Sequence, residues 1–485
     1  LTDPFLEAHR LARLCYAASG PAPLSIRDQY HRGVTLVERL FERGEISPDK
    51  ALLVIGAGVA GVAAAIAAAR QQVPTILCDT QLEPFALQRD ATTRFIDACV
   101  YDWPVDHWRS GAMPPIKDPV LNLSAAKASV LAARWDRQLE AAEDAYARKL
   151  KILGGFNANL DDIMLEPASD EPWINVTLTE CPPEHADASA PWVPRTLSRS
   201  FAAVIWAASN KWELTSLESN DDPPIKRFES GWFWSSDGVA ALRSADSVLI
   251  SGGGDGALQD YLRAVTGIDD LGIIVDALPI PDAMMHALSS AEDRTHRGRV
   301  WFPDLTQQGR STQRALLRKH EERWLEPIDQ TYRAAAEELL SDPAVLRSLE
   351  ALLRTRKQGN PRVHLVHRTP YLTPYYGLNR FLTHLFAAYL RTQRDYGESL
   401  FSGVEIVTVT DDEDPPGPPL WATKQEPGGY KDRFRKAHTV TFTGDGTGHS
   451  AYNVILIRHG FRPGLPGSVE DRLRIRKQLL PFFCP

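Results

Sequence analysis

Apolar residues recur at helical spacing over residues 4–18 and again over 36–41, with Gly20-Pro21-Ala22-Pro23 as a break between them. This predicts a helical N-terminal arm over residues 1–48. Residues 51–55 then form an unbroken apolar run that stops at Gly56. Small residues fill the stretch up to Arg70, and residues 74–78 form a second apolar run closed by Asp79. With such short joints the three pieces predict a strand–helix–strand unit. Downstream, residues 125–149 read as a long helix, and 173–179 and 196–205 as strands around a Pro-rich loop. Residues 247–251 are another apolar strand that runs into glycines. The segment 280–360, rich in Glu, Arg, Leu and Ala, reads as mostly helical. Strands at 363–367 and 404–410 flank a helix at 379–394, and an acidic, Pro-rich loop covers 411–419. Residues 438–443 and 453–457 read as a closing hairpin around Gly444-Asp445-Gly446-Thr447-Gly448. No solenoid-period repeat is visible.

The chemistry concentrates at two glycine clusters. Gly56-Ala57-Gly58-Val59-Ala60-Gly61 is G-x-G-x-x-G between a strand and a helix, the setting that gives this string meaning. Gly56 permits the tight turn, Gly58 lets the backbone approach a pyrophosphate, and Gly61 lets the helix pack close to the strand. The helix start then offers unpaired N–H groups and a positive dipole end to phosphates. Asp79, at the end of the second strand, is placed to accept hydrogen bonds from ribose hydroxyls, with Thr80 beside it. Far along the chain, Gly252-Gly253-Gly254-Asp255-Gly256-Ala257 repeats the pattern as G-x-G-x-x-A, again between a strand and a helix.

Composition narrows the setting. A chain of 485 residues exceeds what one hydrophobic core serves. Its net charge of −8 argues against a nucleic-acid-binding surface, which needs a basic excess. No apolar run is long enough to span a bilayer, and the first residues lack the cationic and apolar regions of a signal peptide. The five cysteines, Cys15, Cys78, Cys99, Cys181 and Cys484, are scattered with no metal-type or C-x-x-C spacing. The expected compartment is therefore the reducing cytoplasm, and no metal site is expected.

With both clusters in place, the chain resembles the two-dinucleotide-binding-domain flavoproteins, a superfamily that includes thioredoxin reductase-like enzymes and flavin-dependent N-hydroxylating monooxygenases. Beyond the glycine loops, Phe201-Ala202-Ala203-Val204-Ile205-Trp206-Ala207-Ala208-Ser209 is similar to the strand that closes the first domain, with Ala208-Ser209 in place of the family's Thr-Gly. Tyr452-Asn453-Val454-Ile455-Leu456-Ile457-Arg458-His459-Gly460 is similar to the matching strand of the second. Gln72 stands where such proteins usually carry glycine, and Asp79 where they more often carry Glu. The resemblance spans residues 50–465 and implies an α/β fold: two Rossmann-type FAD/NAD(P)-binding domains with an N-terminal helical arm and a helical insertion. It implies an FAD-binding domain over 49–215, completed by 462–485, and an NAD(P)-binding-like domain over 240–461 with the insertion at about 268–360. FAD is the expected cofactor of the first domain and NAD(P)H of the second.

Two placements of the second domain's second strand stay open. Arg362-Val363-His364-Leu365-Val366-His367-Arg368 resembles the family's Val-x-Leu-Val-His-Arg strand, and Arg368 would favour a 2′-phosphate. Alternatively residues 273–275 form that strand and Asp276 supplies a ribose carboxylate. The absence of a redox cysteine pair removes disulfide-reductase chemistry from the resemblance. The family's final flavin motif has only Thr443-Gly444-Asp445-Gly446 as a counterpart, a segment that also reads as a plain hairpin turn.

Two further segments combine polar and aromatic residues. Residues 94–108 include Arg94, which could pair with a pyrophosphate, and Trp103, His107 and Trp108, which either line the site or pack a domain joint. Residues 371–381 read as a substrate loop or as a loop with Asn379 as helix cap. The expected function is an FAD-dependent oxidoreductase using NAD(P)H, monooxygenase-like or a non-disulfide reductase, on a small substrate. The alternative is a degenerate nucleotide-sensing scaffold that binds protein partners through the insertion or the N-terminal arm.

Overall fold

A computed structural model describes residues 3–19, 25–105, 108, 119–159, 163, 173–182, 193–208, 212–218, 226–234, 245, 247–300, 310–354, 362–374, 376–393, 396–411, 438–444 and 448–462. His107, Ser209, Tyr375, Cys484 and the expected completion of the first domain by 462–485 lie outside these residues, apart from Arg462, which ends the short strand Phe461–Arg462.

The fold is α/β and contains two Rossmann-type sheets built to one plan. In the first, strands Leu52–Ile55, Thr75–Asp79 and Leu150–Gly154 run parallel, with Ala203–Trp206 on the other side of Leu52–Ile55. Helices Val59–Arg70 and Ala128–Ala145 make the crossovers. In the second, Ser247–Ser251, Arg362–His367 and Leu400–Ser402 run parallel, with Val454–Ile457 beside Ser247–Ser251. The crossovers there include Asp255–Thr266 and Gly377–Thr392. Between the third parallel strand and the closing strand, each unit inserts a three-stranded antiparallel sheet. Apart from half-buried Val454, the four central strands are buried on both faces, as parallel strands covered by helices must be.

The register makes the two units comparable residue by residue. Ile55 pairs with Cys78 and Trp206, and Ser251 pairs with Val366 and Ile457. One step further, Asp79 pairs with Gly154, and His367 with Ser402. The position of Asp79 is thus filled by His367 in the second unit, Thr80 by Arg368, Ala207 by Arg458 and Asn157 by Glu405.

This register settles the second unit's strand order. Arg362–His367 is the neighbour of Ser247–Ser251, while residues 273–275 lie in the helix Leu271–Asp276, so Asp276 ends no strand. Helices Leu271–Asp276, Asp282–Val300, Arg310–Leu339 and Pro343–Arg354 fill the interval that the first unit crosses with a short turn. Their apolar faces, including Leu288, Ile328, Tyr332 and Leu349, join the core of the second unit.

Three expectations are corrected. Residues 4–18 are not one helix: Pro4–His9 is helical, with Asp3 accepting from the Phe5 and Leu6 amides. Strands Arg10–Ala12 and Cys15–Ala17 then extend the first sheet, the second of them parallel to Ala203–Trp206. The arm is therefore part of the first unit's core, and its helix Ile26–Glu42 lies so close to the glycine helix that a Cβ on Gly33 would stand 2.3 Å from the Ala60 carbonyl oxygen. Second, residues 438–443 and 453–457 do not pair. His438–Gly444 pairs with Gly448–Tyr452, and Val454–Ile457 crosses to the parallel sheet. Thr443 and Gly444 end a strand of that antiparallel pair, as a plain hairpin requires. Third, the helix cap before Gly377–Thr392 is Tyr376 rather than Asn379.

Candidate functional site: two glycine loops on one cavity

Gly56 follows the first strand with φ 106°, where a Cβ would collide with the Ala208 amide nitrogen at 2.5 Å. Gly61 lies one turn into the helix, and a Cβ there would stand 1.8 Å from the Gly56 carbonyl oxygen. These two glycines are fixed by packing. Gly58 is different: it caps the helix Val59–Arg70, no side chain bonds to the helix start, and a Cβ would meet nothing within 4 Å. The loop is therefore a cradle with free space and unpaired amides above it, which is what a diphosphate needs.

Asp79 sits beside this cradle. Its Oδ2 accepts the Ala57 amide at 2.6 Å and its Oδ1 accepts the Gln81 amide at 2.8 Å. The Thr80 hydroxyl also donates to Oδ1 at 3.4 Å, and since a carboxylate has about four acceptor sites, room is left for a further hydroxyl donor. Thr80 stands next to it at the cavity edge.

The second loop copies the first. Gly252 has φ 144° and a Cβ there would stand 2.2 Å from the Arg458 carbonyl oxygen. Gly254 caps Asp255–Thr266 without a side-chain cap bond, and again a Cβ would meet nothing within 4 Å. Gly256 is more covered, since the Phe233 ring lies 3.4 Å from the position of a Cβ. Asp255 accepts from Asn379 Nδ2 at 2.7 Å, which ties the loop to the helix Gly377–Thr392. Ala257 is buried in the core.

Both loops open onto one cavity of about 1260 Å³. That exceeds the roughly 300–1,000 Å³ of a single small-molecule site. All of Gly56, Ala57, Gly58, Val59, Ala60, Asp79, Thr80, Arg94, Gly252, Gly253, Gly254, Asp255, Gly256 and Arg368 line it. Gly61 and Ala257 lie behind the wall, where they set helix–strand spacing.

Arg94 is at the wall but its guanidinium is engaged. It donates to Asp260, donates to the Phe233 carbonyl and stacks with its Cζ 3.7 Å from the Phe233 ring centroid. Asp260 also receives Arg263 Nη1 at 3.0 Å and Arg458 Nε at 2.8 Å. Burial pushes the Asp260 carboxyl up, but Arg94, Arg458 and Arg263 outweigh it and hold the group well below the usual carboxylate range. The expected pyrophosphate contact of Arg94 is thus replaced by a clamp between the units. Nη2 of Arg458 and the indole N–H of Trp206 are buried at the wall without a hydrogen-bond partner.

The N-terminal arm contributes cavity residues that the sequence did not mark, and Tyr376 of the 371–381 loop and His459 of the 452–460 block also line the cavity. Ser25, Ile26 and Gln29 come from the N-terminal arm. Tyr376 donates to Asp28 Oδ2 at 2.6 Å and so joins that arm to the second unit. Ser251 Oγ lies 2.8 Å from His459 Nε2, and burial followed by Arg368 pulls the His459 imidazole down. In the 94–108 segment, Trp103 and Trp108 pack into the second unit's core, Trp103 with its ring centroid 4.9 Å from Phe381. They are joint packing and not cavity groups. Cysteine is absent from the described lining, and the described Cys15 and Cys78 are buried, with burial pushing both thiols up to about 12. No metal-binding cluster occurs among the described residues, and none of their helices is long and apolar enough to cross a membrane.

Residues 51–92 match the family described as Glucose inhibited division protein A. No curated protein matches the chain. Among solved structures it is similar to bacillithiol disulfide reductase Bdr from Staphylococcus aureus, at 11% identity over 86% of this chain and 77% of that one, with a TM-score of 0.37. It is also similar to LpdA from Mycobacterium tuberculosis (14% identity, 86% and 60% covered, TM-score 0.38) and to thioredoxin reductase from Lactococcus lactis (10% identity, 90% and 99% covered, TM-score 0.35).

Proposed function

We propose that this chain, a two-dinucleotide-binding-domain flavoprotein by its paired Rossmann units and its match over residues 51–92, is an FAD-dependent oxidoreductase that draws on NAD(P)H. The observation that carries the reading is the single cavity onto which both glycine loops open. Two dinucleotides gripped by their diphosphates at Gly58 and Gly254 would extend into the same space, where transfer between them is short. A bound flavin supplies the hydride and electron chemistry. The chain grips phosphate with backbone amides, orients ribose with Asp79 and excludes water with Phe85, Trp206, Phe233 and Tyr376 at the wall.

The reaction that follows is monooxygenase-like, or a reduction that needs no disulfide relay, on a small substrate. A disulfide relay requires a thiol pair beside the flavin, and no thiol reaches the described lining. The scattered cysteines fit a reducing compartment such as the cytoplasm. The test is anaerobic titration of FAD-loaded protein with NADH and NADPH: loss of the oxidised flavin spectrum supports the reading, and an unchanged spectrum with both nucleotides rejects it.

One observation favours a second reading, a nucleotide-sensing scaffold. The Phe233 ring over Gly256 narrows the approach to the second loop. In that reading the second site binds no dinucleotide, and helices Asp282–Val300 and Arg310–Leu339 offer a protein-partner surface. Nicotinamide nucleotide binding measured by calorimetry separates the two.

A further inference from the structure

The first unit carries its ribose carboxylate at Asp79, the last residue of its second strand. The register puts His367 at that position in the second unit, so the carboxylate is missing there. Burial pulls the His367 imidazole down to about 4, which leaves it neutral near pH 7. The next residue is Arg368. Its side chain is 78% exposed, and its guanidinium is engaged by both oxygens of Glu405, with Nε at 3.1 Å from Oε2. Glu405 occupies the register position of Asn157 in the first unit, and all of Asn157, His367, Arg368 and Glu405 line the cavity. The second unit therefore presents a carboxylate after all, displaced by one strand and held by an arginine.

Charge decides what such a pair accepts. A ribose 2′-hydroxyl can donate to Glu405 and leave the ion pair in place. A 2′-phosphate carries about two negative charges. Whether it takes Arg368 from Glu405 or shares it through the remaining guanidinium N–H groups, it must lie beside the Glu405 carboxylate. The pair is exposed, so breaking it costs little; the discrimination comes from the like charges left adjacent.

We infer that the second unit takes a dinucleotide with a free ribose 2′-hydroxyl, an NADH-type nucleotide, and that Glu405 is the residue that rejects the 2′-phosphate by engaging Arg368. This rests on the nucleotide reading of the second glycine loop. The same arginine without its partner would favour NADPH.

Calorimetric titration of the full chain, loaded with FAD, with NADH and NADPH tests it, on wild type and Glu405→Gln. Both side chains are exposed, so the variant keeps the fold. Wild type is expected to bind NADH more tightly by roughly tenfold, a ratio set by one adjacent like-charge contact in water. Glu405→Gln is expected to erase or invert that ratio, mainly through tighter NADPH binding. Tighter NADPH binding by wild type, or a ratio that Glu405→Gln leaves unchanged, overturns the inference while the nucleotide site stands. Binding of neither nucleotide overturns the nucleotide reading itself and the inference with it.

Discussion

Arg94 and Asp260 join the two units: the Arg94 guanidinium reaches the second glycine helix and donates through Nη1 to Asp260 Oδ1 and through Nη2, at 3.3 Å, to Oδ2. Asp260 is fully buried, and Arg263 and Arg458 complete the cluster. The contact sets the position of one glycine loop against the other, which is the geometry on which transfer across a shared cavity depends.

Replacing Asp260 with Asn leaves three buried guanidinium groups without their common anion. The expected loss of stability is about 3–5 kcal/mol, the usual cost of removing one partner from a buried ionic cluster. Because the folded-state carboxyl is held below its ordinary value of 3.8, its stabilising contribution is full above that pH and is lost as pH falls below it. Urea unfolding at pH 7 reads the first effect. A wild-type acid limb steeper than that of Asp260→Asn below pH 3.8 reads the second.

The glycines of the first loop separate into packing and binding roles. Gly56→Ala places a Cβ at φ 106° against the Ala208 backbone and is expected to cost at least about 1–3 kcal/mol. Gly58→Ala, at φ −78° with open space above, is expected to stay within about 1 kcal/mol of wild type. Yet its methyl fills the space of the diphosphate, so FAD retention should drop sharply. Thermal melting and flavin content after gel filtration distinguish the two. Equal flavin content in Gly58→Ala and wild type would contradict the cradle.

Four histidines are held without charge near neutral pH, His9, His364 and His367 buried and His31 half-buried. Burial, ahead of other causes, pulls His9 and His364 down to about 3 and His31 and His367 down to about 4, from an ordinary 6.5. Between those values the unfolded chain binds protons that the folded chain refuses. Stability is therefore present above pH 6.5 and falls as pH drops toward 4. The melting temperature should decline across that window, and His364→Gln should flatten the decline. A melting temperature constant from pH 6.5 to 4 would rule this out.

Thiol chemistry is expected to be dispensable. Burial, followed by Asp97, pushes the Cys99 thiol up, and burial pushes Cys15 and Cys78 up to about 12. Alkylation of the folded protein with iodoacetamide should leave NAD(P)H oxidation unchanged. Inhibition by alkylation would restore a disulfide relay to consideration.

How much of this the sequence disclosed follows from locality. The strand Leu52–Ile55, its glycine turn and the helix to Arg70 were legible because turn, small residues and apolar run lie within one short segment. Gln72 adopts φ 62°, a left-handed conformation that glycine usually supplies, so the residue type hid the turn. The apolar spacing of residues 10–17 fits both periods, and pairing of Cys15–Ala17 with Ala203–Trp206 decides for strand. Arg94 lines the cavity, but its partner Asp260 lies far along the chain and no local pattern announces the pair. Likewise Glu405 gains its meaning only from the strand register that sets it opposite Asn157 in the repeat.

The central claim is that the first glycine loop holds FAD within reach of a nicotinamide nucleotide at the second. The most direct measurement is the visible spectrum of the purified full-length chain after FAD loading and desalting, followed under anaerobic NADH. Bound flavin that bleaches on NADH addition is the predicted result. A colourless protein after desalting, with Gly58 unaltered, would contradict the account.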